Sequence, residues 1–437
     1  MASDHSTTDI ADPDAQPAPE SQKEFDGKGG NPASHGKAPD GGLAAWLMVL
    51  GGFCVMFSSF GWINSIGTFQ AFYQRDLLRE YSPSAIAWIP SLQIFFMYAM
   101  SPVVGRLQDQ YGPRYLVIVG SFLHVFGLMM TSISTKYYQI LLSQGVCSAI
   151  GVSVIFQPAV SSLPSWFDKK RGAAYGLMSI GSSIGGIIFP IMMNRLIDEV
   201  GFGWAMRIAA FMILFLLAIS CLTIRSRVPP SPRPLSRDAL AQPFRDVKMI
   251  LLTVGFVLLT FGVFIPIDYL VVEAITEGMK PDLAQYLIAM LNAGSIFGRG
   301  SAGFLADRFG TYNIFTLVCY LAGILILALW IPATSNAAIV VFAILFGFSS
   351  GAYVALSAAL VAAISPFPQI GYRIGLIFLS SSVSGLTTNP IAGAILDHDN
   401  GSYVGMKVFA GVLLIAGTTL VFGARLYQTG PKLLAKF

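Results

Sequence analysis

What most constrains this chain is a succession of long apolar runs that fills almost everything after residue 40. Each is about 20 residues or more, the length an α-helix needs to cross a hydrocarbon core of about 30 Å. Twelve are read, over roughly 43–72, 84–107, 114–134, 138–165, 171–197, 203–224, 248–274, 282–306, 311–332, 336–364, 371–397 and 403–427. Inside lipid every backbone N–H and C=O needs a partner in the protein, which leaves helices or closed barrels, and runs this apolar are helices. Composition agrees: 54% of residues are hydrophobic and 11% charged, against about 25% charged in soluble domains. The expected fold class is an all-α membrane protein of twelve transmembrane helices, several long enough to tilt or protrude.

Polar segments divide the chain. Residues 1–39 are rich in Asp, Pro, Ser, Gly and Lys without a hydrophobic period, the composition of a disordered tail. They lack the short apolar core of a cleaved signal peptide, so targeting is expected to rest on the first membrane helix. Residues 225–247 carry Pro229, Pro230, Pro232 and Pro234. They separate a first six-helix half, 40–224, from a second, 248–430, followed by a short tail at 431–437. Arg106, Arg114, Lys169, Lys170, Arg171, Arg225, Arg227, Arg308 and Arg373 fall on one side of the helices, and the other side keeps few cations, among them Arg79, Lys136 and Lys280. That bias predicts cytoplasmic N- and C-termini, in the plasma membrane or an intracellular one. It places the sequon Asn400-Gly401-Ser402 outside, so close to the membrane that Asn400 is expected to stay unmodified. Cys54, Cys147, Cys221 and Cys319 lie in separate runs with no CxxC spacing, so neither a disulfide framework nor a metal site is suggested.

One short stretch occurs twice. Gly105, Leu107, Asp109 and Gly112 recur at the same offsets as Gly303, Leu305, Asp307 and Gly310, each set between the second and third helices of its half. A repeat at this distance is the mark of a duplicated bundle. Each aspartate ends one helix beside the start of the next, with Arg114 nearby in the first copy and Arg308 in the second. A carboxylate there can pair with arginine and favour a helix N-terminus. Asp109, Arg114, Asp307 and Arg308 are therefore expected to gate the cytoplasmic face. The lock should be stronger in the first half, because the second copy has Tyr312 where the first has Arg114.

The repeated Gly-x-Leu-x-Asp-x-x-Gly stretch, twice among twelve helices, resembles the major facilitator superfamily over nearly everything from Asp40 to Tyr427. Asp40-Gly-Gly-Leu-Ala-Ala-Trp46 before helix 1 is similar to the corresponding stretch of the monocarboxylate porter family. So is Trp166-Phe-Asp-Lys-Lys170-Arg171-Gly-Ala-Ala-Tyr-Gly176, continued by Gly181 and Gly185, at the start of helix 5. Lys170 and Arg171 would anchor a cytoplasmic loop, and the glycines would let helix 5 pack closely during rocking. In that family helix 8 carries an aspartate and, one turn later, an arginine that binds the substrate carboxylate, and helix 1 carries a lysine for proton coupling. The arginine corresponds to Arg299, the aspartate position holds Ser295, and the lysine position falls on Asn64. The usual coupling pair is thus replaced.

Arg299 also stands on its own chemistry. A cation deep in a membrane helix costs about 2.5–3.5 kcal/mol on insertion scales, so it normally faces a polar cavity. Asn292, Ser295 and Arg299 form one stripe on helix 8, and a planar guanidinium suits a carboxylate. The alternative is that Arg299 reaches the interface and pairs with Asp307. Asp268, in the outer part of helix 7, is the candidate proton carrier, or else a group solvated near the outer mouth or paired with a nearby cation. Asn64, Ser65, Thr68, Gln157, Tyr269, Tyr353, Ser384 and Thr388 complete the candidate pathway, with Glu273 and Glu277 expected at the interface. The many phenylalanines are expected to pack or face lipid. No HExxH, no phosphate-binding Gly-Lys-Ser/Thr loop and no GxSxG set at a nucleophile turn occurs, which excludes the common hydrolases and ATP-driven pumps. The expectation is a secondary transporter of a small organic anion, without cofactor or nucleic-acid partner and with its direction and its coupling to protons open. A pathway-product exporter and a non-transporting sensor of similar build are the alternatives.

Overall fold

The computed structural model describes residues 38–228 and 237–430. The two expected tails lie outside that range, apart from Ala38 and Pro39, as do the four linker prolines named above.

Among the described residues the chain forms twelve long helices. The first half holds α1 (Leu43–Leu77), α2 (Ser84–Tyr111), α3 (Pro113–Ile133) and α4 (Tyr137–Ser165). A single helical stretch, Arg171–Thr223, follows and breaks at Gly201, whose φ of 78° only glycine adopts without strain. It is two membrane helices, α5 (171–200) and α6 (202–223). Two short turns over Arg237–Ala241 and Gln242–Arg245 precede the second half. That half contains α7 (Val247–Thr276), α8 (Leu287–Phe309), α9 (311–330), α10 (Asn336–Ile364), α11 (Ile370–His398) and α12 (Val404–Thr429).

Local chemistry sets the ends. Ser82 caps the start of α2 by accepting from the Ala85 N–H, and Asp246 does the same for α7 through Lys248. The closing glycines of the two motif copies, Gly112 (φ 79°) and Gly310 (φ 97°), make the sharp turns from α2 to α3 and from α8 to α9.

Among the described residues nine helical stretches are long and apolar enough to cross a membrane, the α5–α6 stretch counting as one. The helices falling short of that apolarity are α8 and α11, which carry Asn292, Ser295 and Arg299, and Ser380 to Ser382, Ser384 and Thr387 to Asn389. Their polar residues are largely buried, so they face protein and not lipid. The apolar exterior comes instead from side chains such as Phe122 and Phe126 on α3, Phe211 and Phe215 on α6, Leu317 on α9 and Val412 on α12, all exposed.

Glu273 does not sit at the interface as expected. It is buried and ion-paired with buried Lys407, joining α7 to α12. The Lys407 Nζ also donates to the Trp330 carbonyl (2.9 Å) and lies 5.2 Å from that ring. A lone buried carboxylate would be costly, and the lysine in the first turn of α12 is the partner that offsets it.

Candidate functional site

The two motif copies do one job twice. In the first, the Gly371 N–H donates to Asp109 Oδ1 (3.0 Å) and the Tyr372 N–H to Oδ2 (2.9 Å). Asp109 on α2 thereby caps the first turn of α11 in the opposite half. In the second, Gly172 and Ala173 N–H donate to the two oxygens of Asp307 (2.7 and 2.9 Å), so α8 caps α5. Each carboxylate meets the positive end of a helix dipole and unpaired N–H groups.

Glycines let the backbones approach. A methyl group on Gly303 would lie 2.5 Å from the Gly172 carbonyl oxygen, and one on Gly371 equally close to that of Gly105. Gln157 adds a bond to the Gly371 carbonyl (2.8 Å).

The expected arginine partners are elsewhere. Arg114 is exposed and makes no ion pair with Asp109. Arg308 is exposed with its guanidinium over the Phe309 ring. Nor is the first lock the stronger by geometry, because each carboxylate accepts two backbone amides at 2.7–3.0 Å. Helix N-termini from the other half cannot be read from local spacing, which is why the sequence pointed to the nearest arginine.

Helix α5 is held by a second carboxylate. Asp40 Oδ1 accepts from the N–H groups of Asp168 (2.7 Å), Lys169 (2.7 Å) and Lys170 (3.2 Å). Trp46 meets Phe167 edge-on at 5.2 Å. The two stretches that resemble porter signatures therefore dock on each other. Partial burial pushes the Asp40 carboxyl up, but the three amide donors and Lys169 outweigh it and hold it below the usual carboxylate value. Arg171 pairs with Asp168 at 3.0 Å. The glycines of α5 divide their work: Gly176 abuts the Arg299 carbonyl on α8, whereas Gly181 and Gly185 abut Phe53 and Phe57 on α1.

Arg299 is 7% exposed and faces α5 across the interface between halves. Its Nε donates to Ser295 Oγ (2.8 Å), and Nη1 donates to the Ser179 carbonyl (3.0 Å) and Ser182 Oγ (2.5 Å). Ser183 bonds Ser295 at 3.1 Å. All these partners are neutral. Among the described residues no carboxylate pairs with Arg299, and its Nη2 makes no hydrogen bond to protein. The pairing of Arg299 with Asp307 is therefore not formed. One level further out, Asn292 donates to Asn64 Oδ1 (3.2 Å), again between halves.

A narrow cavity lies against this cluster, with Ser179 in its wall. Tyr98, Phe156 and Tyr175 line it from the first half, Tyr353 and Phe378 from the second. Tyr353 also bonds Thr260 (3.1 Å). Tyr353 alone among the expected pathway residues lines this cavity. The other aromatic walls went unread, since a phenylalanine in an apolar run looks the same whether it meets lipid, core or cargo.

The sequence matches the Major Facilitator Superfamily over residues 49–336 and 278–434. The chain belongs to that superfamily. It is 60% identical over 401 residues to the MFS transporter asaE of Aspergillus flavus, covering 91% of this chain and 90% of the relative. It is 51% identical over 400 residues to the fujikurins efflux protein of Gibberella fujikuroi, covering 91% and 86%. Among solved structures, FucP in the outward conformation aligns with a TM-score of 0.69 at 15% identity, over 87% of this chain and 99% of that one. The human organic anion transporter MFSD10 aligns at 0.68 and 14%, over 86% and 98%. These likenesses establish the fold. The chain is a multi-pass membrane transporter and not an enzyme.

The remaining candidates scatter. Asp268 is half-buried on α7, in contact with the Asn389 side chain, and has no ion pair among the described residues. Tyr269 donates to the Asn389 carbonyl (3.1 Å). Ser384 bonds the Val257 carbonyl and Thr388 its own helix, so both serve packing. His124, bonded to Ser148 (2.9 Å) and the Ser58 carbonyl (3.1 Å), is a satisfied core residue. Asn400 is exposed on a turn with φ 53°.

Proposed function

We propose that this protein exports a small organic anion by alternating access, with the motif-bearing face toward the cytoplasm. The observation that carries the reading is Arg299, a buried guanidinium with only neutral partners, set where the halves meet and beside the cavity wall. An uncompensated charge at this depth is costly, and a carboxylate or similar acidic oxygen would offset it through the open Nη2. The resemblance to monocarboxylate porters at the helix 5 stretch supports an acidic cargo. Relatives named as efflux proteins, the fujikurins efflux protein among them, support export. The excess of cations at the motif end supports the orientation.

Asp268 is the proton carrier in this proposal, since a half-buried carboxylate without a cation can gain and lose a proton as its exposure changes. The test uses inside-out vesicles carrying the full chain and a radiolabelled aromatic carboxylate, 1-naphthoate, with an imposed pH gradient. Uptake should fall about 10- to 100-fold in Arg299→Gln, the loss expected for a charge-assisted hydrogen bond. Uptake in Asp268→Asn should no longer respond to the gradient. Undiminished uptake in Arg299→Gln at normal expression rejects the anion reading.

A further inference from the structure

The cavity beside Arg299 has a chemistry of its own. Tyr98 on α2 and Phe378 on α11 stack across the two halves, with ring planes 3° apart and centroids at 5.4 Å. Phe156 meets Phe378 edge-on at 5.2 Å, and Phe60 meets Phe156 edge-on at 5.0 Å. These rings come from α1, α2, α4 and α11, so they form a continuous aromatic wall that bridges the interface. Among the described residues no acidic or basic side chain lines the cavity.

Two hydroxyls in that wall are unused. Ser381 Oγ, on a residue 2% exposed, has no hydrogen-bond partner. Tyr98, 6% exposed, makes ring contacts but no hydrogen bond among the described residues. Both line the cavity. Buried polar atoms without partners are rare, and in a concave site they mark where a ligand's polar atom is met.

We infer that this wall is a cargo subsite for a planar aromatic or conjugated ring bearing a phenolic or carbonyl oxygen. The inference rests on the transport reading above and narrows its cargo. The ring lies against Phe156 and the Tyr98–Phe378 pair, where offset and edge contacts with a π-system are favourable. The oxygen is read by Tyr98 and Ser381. A saturated ring of similar size gains the apolar burial without the quadrupole contacts, so it binds more weakly.

Because Tyr98 and Phe378 belong to different halves, rocking the halves apart separates the stacked pair. A cargo ring takes over the contact that each loses. The subsite thereby favours a ring-bearing cargo during the conformational change itself, which links specificity to the transport step.

The test is binding to the purified full-length protein by calorimetry. The probes are 1-naphthoate, cyclohexanecarboxylate, which keeps the carboxylate but has no aromatic ring, and 2-naphthol, which keeps ring and oxygen without the carboxylate. The wild type should bind 1-naphthoate several-fold more tightly than cyclohexanecarboxylate and should bind 2-naphthol measurably. Phe378→Leu should weaken 1-naphthoate about three- to tenfold and leave cyclohexanecarboxylate unchanged. Phe378→Tyr, which keeps the ring, should retain affinity. Tyr98→Phe and Ser381→Ala should weaken 2-naphthol.

Equal affinity for the two carboxylates, or absence of binding by all probes, overturns the aromatic subsite. So does a Phe378→Leu variant that binds 1-naphthoate as the wild type does. Failure of the anion reading is separate: Arg299→Gln would then leave 1-naphthoate binding intact while Phe378→Leu still lowers it, and the aromatic subsite would stand alone.

Discussion

Arg299 and Lys407 are both cations buried inside membrane helices, and they are accommodated in different ways. Lys407 has its carboxylate, Glu273, together with the Trp330 carbonyl and ring. Arg299 has serine hydroxyls and one backbone carbonyl. The first arrangement is complete within the protein and belongs to packing of α7 on α12. The second holds no counter-ion among the described residues, and in the function proposed above the cargo supplies it. Removing one member of a buried pair strands the other, at a cost of about 3–5 kcal/mol. Glu273→Gln should therefore lower the melting temperature of the purified protein sharply, and Glu273→Gln with Lys407→Gln should recover much of the loss. An unchanged melting temperature in the single variant would place the pair outside the stability of the fold. The sequence singled out Arg299 by its depth in helix 8. It passed over the Glu273–Lys407 pair because a charge near a helix end reads as interfacial unless the rotation of both helices is known.

At the scale of the helix, the lock is a matter of which amide ends meet which carboxylates. Asp109 and Asp307 each hold two N–H groups of the opposite half. A charge at a helix N-terminus contributes from a few tenths to about 2 kcal/mol, so Asp109→Asn or Asp307→Asn should shift the population toward the open form by up to about 30-fold. A cysteine placed at Ser357, in the cavity wall, would be alkylated correspondingly faster from the motif side, and an unchanged rate would reject the lock. Asp40 acts on the same helix from within its own half. With its carboxyl held below the usual value, it stays ionised at neutral pH, and its contribution is lost only as pH falls through that lowered value. Asp40→Ala should cost about 1–2 kcal/mol of stability, as for a lost helix cap, and slow transport, whereas a melting temperature and a rate equal to wild type would deny it any hold on α5. Helix count, the break near residue 200 and the duplicated turns were legible because apolar length and glycine carry them. The cross-half partners were not, since nothing in local spacing says which helix end will arrive from the other half.

For the molecule as a whole, hydrogen bonds between the halves run unevenly along the bundle. They are dense at the motif end, where Asp109, Asp307 and Gln157 act, and continue through Arg299 and the Asn64–Asn292 contact. Toward the far ends of α5 and α8 the bond between Asn194 and Gln285 crosses at 3.4 Å, on exposed side chains. Two packed halves pivoting about a central site need one end to open while the other closes. If that is how this chain works, the Asn194–Gln285 end must part widely when cargo leaves on that side. Cysteines at both positions, in a background with Cys54, Cys147, Cys221 and Cys319 replaced, should be joined by a short bifunctional thiol reagent with a cleavable disulfide spacer, because the tips of the native side chains already meet. The crosslink should reduce vesicle transport to background, and reductant should restore it. Binding of 1-naphthoate from the motif side should survive, because the crosslink leaves the central site and the motif-end opening intact. Transport at the full rate with the crosslink in place would mean that this end does not open, and the pivot would have to lie elsewhere.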